Sequence, residues 1–122
     1  MKIEEKGMKP IFVQIQEGIE DAILSGAFPE ESQIPSTTEI STTYQINPAT
    51  ALKGINILVA ERILYKKRGI GMFVADGATE ILRKKRQKDF LEDYVEPLIA
   101  EALRLQITEA VLVDLIEKGY KK

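Results

Sequence analysis

Two prolines, Pro35 and Pro48, fence off a stretch that has room for one short helix and a tight connection. Pro35 is followed by Ser36-Thr37-Thr38-Glu39. That is the capping-box spacing, in which a serine and a glutamate three residues on satisfy each other's free backbone N–H groups. The helix it opens is expected to end at Thr43 or Tyr44. Asn47 then offers an N-cap oxygen to a second start, and Pro48 falls at the first helical position, where proline is best tolerated. Two helices joined by about three residues have the geometry of a helix-turn-helix.

The flanking segments agree with that unit. Upstream, Pro10 precedes Phe12, Ile15, Ile19, Ala22 and Ile23, apolar at helical spacing, and Ser25-Gly26 is a stop signal with Pro29 beyond it. Downstream, the helix from Pro48 is expected to bury Ala51, Ile55, Leu58 and Val59. After Arg62 the period changes. Ile63 to Lys67 and Met72 to Ala75 are β-prone and surround Arg68-Gly69-Ile70-Gly71, which predicts a hairpin with a glycine-bearing tip. Asp76-Gly77 closes the unit. The expected fold is mainly α with one small β-hairpin: a winged helix-turn-helix over residues 1–77, then a helical tail over 78–122.

In the tail, Leu91, Val95, Leu98, Ala102 and Leu105 form a heptad-like seam. Pro97 lies inside it, which predicts a kink or a break into two helices. Thr108 is the expected N-cap of a last helix carrying Leu112, Leu115 and Ile116 and ending near Gly119. A tail this short cannot build a core of its own. The seam and the last helix are therefore expected to pair with a second copy of the chain.

Cysteine and histidine are both absent, at 0 each. Thiolate and imidazole catalysis, disulfides and Cys/His zinc sites go with them. Adjacent carboxylates such as Glu20-Asp21 and Glu92-Asp93 point in different helical directions. No enzyme, metal site or cofactor is expected. The longest uncharged run, Ile40 to Leu52, is rich in Ser, Thr, Gln and Asn, and the N-terminal MKIEEKGMK has no apolar core. A cytoplasmic protein without membrane contact is the expectation.

The net charge of −2 conceals an uneven distribution. Residues 10 to 52 carry no base, whereas Lys53, Arg62, Lys66, Lys67 and Arg68 follow with only Glu61 against them. That allows a local basic surface for a polyanion such as double-stranded DNA. The front of the third helix can enter the major groove, with Thr50 and Lys53 on one side and Pro48 and Ala49 offered to thymine methyls behind the Asn47 cap. Ser36, Thr37 and Thr38 sit at a helix N-terminus, whose N–H groups suit a phosphate. On the first hairpin strand Lys66 and Arg68 share a face and Lys67 opposes them. Gly69 and Gly71 let the backbone come close to a ligand. A solvated edge strand guarded by lysines is the plainer alternative for the hairpin. The run Arg83 to Lys88 reads as a solvated helix face with i,i+4 ion pairs.

Pro10 to Val74 resembles the DNA-binding domain of the GntR family of bacterial transcription regulators. The carrying motifs are P-I-x-x-Q-I with the later I-L-S-G, the P-S at helix two and the wing R-G-x-G-x-F-V. The I-N-P-x-T start of helix three and the short helical tail look most like the YtrA-type subfamily. The resemblance implies a homodimeric repressor on an inverted-repeat operator, often controlling a transporter operon; whether a small effector acts on it is not implied. Family members usually carry arginine where this chain has Thr38, bases early in helix three where it has Pro48, Ala49 and Leu52, and glycine where it has Arg62. The alternative function is a winged-helix module that binds protein rather than DNA.

Overall fold

The computed structural model describes residues 1–122. The elements run α1 (Ile11–Leu24), α2 (Thr37–Tyr44), α3 (Pro48–Ala60), β1 (Leu64–Lys67), β2 (Gly71–Val74), α4 (Ala78–Phe90), a π-helical turn (Leu91–Val95), α5 (Glu96–Arg104) and α6 (Glu109–Tyr120). They pack as two units, Met1–Lys84 and Lys85–Lys122.

In the first unit α1 and α3 pack together and bury Ile15, Ile19, Ile23, Ala51, Ile55 and Leu58 with Ile34, Ile40, Ile63, Leu64 and Val74. Ala78 and Leu82 of α4 complete this core, so the division falls later than Gly77, within α4. The charged run that follows hides the two buried positions from a reading by composition. The start of α4 is also fixed. The Glu30 carboxylate accepts hydrogen bonds from the N–H groups of Gly77 (2.7 Å) and Thr79 (3.2 Å). These bonds, the one from Gly77 first, hold the Glu30 carboxyl below its usual pKa.

Both helix starts read from the sequence form. Ser36 Oγ accepts from the Glu39 N–H (3.0 Å) while Glu39 Oε1 accepts from the Ser36 N–H (3.1 Å). Asn47 Oδ1 accepts from the Ala49 N–H (2.8 Å). Between them Gln45 takes a left-handed conformation (φ 53°), and the Ile46 N–H reaches back to the Ser41 carbonyl at 3.0 Å. Ser41 Oγ donates to the Ile46 carbonyl (2.7 Å) and ties the turn shut.

The hairpin pairs antiparallel, Leu64 opposite Val74 through Lys67 opposite Gly71. The free edge of β2 takes up the chain between α1 and α2: the Glu31 N–H bonds the Val74 carbonyl (2.8 Å), the Val74 N–H bonds Ser32 (3.0 Å), and the Ile34 N–H bonds Met72 (2.9 Å). That pairing was not visible in a segment hemmed by Pro29 and Pro35, which reads as a plain connection.

Past the end of α3, Arg62 is left-handed at φ 63°, with the Ile63 N–H on the Leu58 carbonyl at 2.9 Å. A side chain at such a position costs about 1 kcal/mol, partly offset in glycine by greater freedom of the unfolded chain. Arg62→Gly is expected to raise stability by about 0.5–1 kcal/mol, read from urea unfolding midpoints at constant slope. A lower midpoint would mean that the arginine side chain contributes more than its backbone strain removes.

In the second unit the kink expected at Pro97 takes the form of the π-helical turn just before it. Proline has no N–H to donate and its ring crowds the preceding turn, so the helix widens, and the Glu96 N–H bonds the Leu91 carbonyl five residues back. α5 closes through left-handed Gln106 (φ 57°), with the Ile107 N–H on the Ala102 carbonyl at 2.8 Å. Thr108 Oγ1 then caps α6 by accepting from the Val111 N–H (3.3 Å), and α6 runs through Gly119 to Tyr120. No helix is long and apolar enough to cross a membrane.

Candidate nucleic-acid interface

The N-terminus of α2, one flank of α3 and the inner face of the hairpin border a common groove of about 330 Å³. Ser36, Thr37 and Thr38 lie on one side of it, Leu52, Ile55, Asn56 and Val59 along its floor, and Lys66, Gly71 and Met72 on the other. Local chemistry explains each wall. The capping box fixes the α2 terminus and occupies the N–H groups of Ser36 and Glu39. The N–H groups of Thr37 and Thr38, with their hydroxyls, are left at the open end. The two-residue period of β1 turns Lys66 into the groove.

Lys67 goes the other way. Its Nζ sits 4.2 Å from the centroid of the Phe73 ring, and Phe73 stacks on Tyr65 at 5.9 Å. The Tyr65 hydroxyl donates to Glu31 Oε2 (2.6 Å), and that bond raises the tyrosine pKa. Arg68 is exposed at the tip, beside Ile70, which is 63% exposed. The tip itself is braced: Gln33 Nε2 donates to the Ile70 carbonyl at 3.0 Å. Gly71 has a left-handed φ of 147°, and a Cβ there would come within 2.5 Å of that same Gln33 nitrogen. The backbone conformation favours glycine at 71, and a side chain there would in addition displace the Gln33 amide from the tip. Gly69, at φ 76°, has open space around it.

On α3 the buried stripe is Ala51, Gly54, Ile55 and Leu58. The opposite, outward arc carries Ala49, Leu52, Lys53, Asn56, Ile57 and Ala60. Pro48 and the capping Asn47 are exposed at the front of the helix. Lys53 lies on the edge of the arc toward α1, with its Nζ 4.0 Å from the Phe12 ring centroid. Thr50, half-buried, is one turn before Gly54 and so shares the side of α3 that meets α1. The residues singled out in the sequence thus divide. Ser36, Thr37, Thr38, Lys66 and Gly71 come together around the groove, Pro48 and Ala49 stand at the front of α3 outside it, and Thr50, Lys53 and Lys67 are drawn aside. Leu52 and Asn56 were missed, although a helical projection anchored on Ala51, Ile55 and Leu58 puts both outward.

In the tail, Leu91, Leu98, Leu105, Leu115 and Ile116 are exposed, Val95 and Leu112 half-buried, and Ala102 buried within its own unit. The basic run pairs locally, with Arg83 on Glu80 a turn earlier.

Comparison with known proteins bears on this geometry. The YurK transcriptional regulator of Bacillus subtilis is 28% identical over 123 residues, covering 87% of this chain and 50% of that protein. The chain thus spans about half the length of that curated relative. The YtrA repressor of the same organism is 26% identical over 102 residues, covering 84% of this chain and 78% of YtrA. Among solved structures, a GntR-family regulator from Bacteroides thetaiotaomicron superposes with a TM-score of 0.71 at 30% identity, over 92% of this chain and 97% of that one. The DNA-binding domain of AraR in complex with operator ORX1 superposes with a TM-score of 0.57 at 29% identity, over 62% of this chain and 96% of that one. Residues 12–74, about half of the chain and the span holding α1, the helix-turn-helix and the hairpin, match the model for bacterial regulatory proteins of the gntR family, and the chain belongs to that family.

Proposed function

We propose that this chain is a DNA-binding transcription regulator, a repressor of the YtrA type, acting as a homodimer on an inverted-repeat operator in the cytoplasm. The observation that carries the reading is the shared groove, bordered by a helix N-terminus, one flank of α3 and a basic hairpin. In this reading the outward arc of α3 enters the major groove with Pro48 and Ala49 at its leading end, Thr50 and Lys53 lying to the side toward α1. Thr37 and Thr38, beside the capping Ser36 and Asn47, meet phosphate. Lys66 and Arg68 carry the wing to the sugar-phosphate backbone, Lys67 lying over Phe73 on the other face and Gly69 and Gly71 giving a narrow tip. The exposed leucines of the tail support pairing through α5 and α6. Two copies would set half-site centres about 10 bp apart or somewhat more.

A salt titration tests this reading against protein binding. Neutralising a phosphate releases counterions, so the log-log dependence of affinity on salt should be steep. Replacing Lys66 and Arg68 together by alanine should weaken operator and random DNA alike. The slope should flatten by about 0.9 for each phosphate that is no longer neutralised. Both residues are exposed on the hairpin, so the circular dichroism should not change. An unaltered slope would leave them as edge protection only.

A further inference from the structure

We propose that α3 reads A·T base pairs, with Asn56 hydrogen-bonding an adenine edge and Leu52 covering a thymine methyl. The inference deepens the DNA-binding reading and rests on it. Residue types divide by the base they can recognise in the major groove. Arginine or lysine pairs with the two acceptors of guanine, asparagine or glutamine with the donor and acceptor of adenine, and apolar groups with the thymine methyl.

The sequence of α3, PATALKGINILVA, holds no arginine. Its one cation, Lys53, leans over Phe12 toward α1. Thr50 is half-buried on that same side. Of the residues on the outward arc, Leu52 and Asn56 are the two that also line the groove between α2 and the hairpin. Asn56 is exposed, and no hydrogen bond within the protein occupies its amide. It is the residue on the arc whose planar group offers both a donor and an acceptor. Leu52 is 45% exposed and four residues before Asn56, so the two stand side by side on one face. Both also border the groove that holds Thr38 and Lys66, whose phosphate contacts would fix the register of the helix on the duplex. A surface of this chemistry gains at A·T pairs, where the amide uses donor and acceptor together, and places no cation in line with Leu52 and Asn56 for the paired acceptors of guanine.

The test begins with selection of bound DNA from a random pool by the full-length protein, which should enrich half-sites with adjacent A·T pairs. On the enriched site each thymine is then replaced by deoxyuridine, which lacks only the methyl, and each adenine by 7-deazaadenine, which lacks the N7 acceptor. One thymine replacement should weaken the wild type about fourfold, the value of one buried methyl, and leave Leu52→Ala unaffected. One adenine replacement should weaken the wild type about 5- to 100-fold and leave Asn56→Ala unaffected. Enrichment of G·C pairs, binding without sequence preference, or variants that respond to the modified bases as the wild type does would each overturn the inference while leaving DNA binding intact. A pool with no bound fraction at low salt would overturn the DNA-binding reading as well.

Discussion

Leu98→Glu is expected to leave the winged unit folded and to lower affinity for the full operator by at least about 100-fold. Leu98 is exposed in α5 and belongs to the unit Lys85–Lys122, outside the core that supports the helix-turn-helix. If the tails pair about a two-fold axis, each introduced carboxylate meets an apolar surface or its own symmetry mate, and either is unfavourable in a desolvated interface. On the proposed reading the first unit alone would grip one half-site with few cations. Linking two such units makes the second contact intramolecular, a gain of about 10²–10⁴ in apparent affinity that a monomer forfeits. Sedimentation at micromolar concentration should show a dimeric wild type and a monomeric variant. Binding to a single isolated half-site should be the same for both. A monomeric wild type, or a monomeric variant with undiminished operator affinity, would remove the tail from the mechanism.

Much of the fold was legible because its punctuation is chemical. Ser36 with Glu39, Asn47 with Pro48 and Thr108 each announce a helix start through a side chain that satisfies free N–H groups, and each forms that bond. Helix ends were less legible. α1, α2, α3 and α5 are each followed by a left-handed residue, yet only Gly26 advertises it. Gln45, Arg62 and Gln106 adopt it with side chains, and in each case the isoleucine that follows, Ile46, Ile63 or Ile107, is turned back so that its N–H bonds a carbonyl of the helix just ended. The pairing around Gln33 escaped notice for a related reason. Its partners are fixed by the distant β2, and three backbone bonds leave little trace in side-chain type.

The candidate site followed the same division. The groove-lining Lys66 and the α2 terminus came from alternation and capping, which are local rules. Lys53 and Thr50 belong to the front of α3, but where they point depends on where α1 lies, and the Phe12 ring takes Lys53 to one side. Leu52 and Asn56 needed the same knowledge in reverse: which arc of α3 is turned away from the core. The buried set expected from the sequence, Ala51, Ile55, Leu58 and Val59, omitted Gly54 and thereby rotated the inferred face toward α1.

Gly54 is where the largest loss of stability is expected. It lies in the interior of α3, where alanine should be about 1 kcal/mol better than glycine on helix propensity alone. Here the packing reverses that sign. A Cβ at Gly54 would stand 2.6 Å from the backbone carbonyl oxygen of Phe12 and 3.3 Å from Ile15 Cβ. The oxygen belongs to the main chain of α1 and cannot swing away, so the two helices would have to separate. The apolar packing between them, including Ile15 and Ile19 against Ile55 and Leu58, would loosen as a whole. Overpacking of this kind costs about 1–3 kcal/mol. With a main-chain atom at 2.6 Å the cost falls in the upper part of that range, about 2–3 kcal/mol. After the propensity gain, Gly54→Ala is therefore expected to be about 1–2 kcal/mol less stable than the wild type, and Gly54→Val, with a β-branched side chain in the same gap, at least about 3 kcal/mol less stable. Urea unfolding followed by circular dichroism reads both, and operator binding by Gly54→Val should vanish with the fold of the helix-turn-helix. A Gly54→Ala protein as stable as the wild type, or more so, would show that α1 and α3 have room to spare and that propensity governs the position.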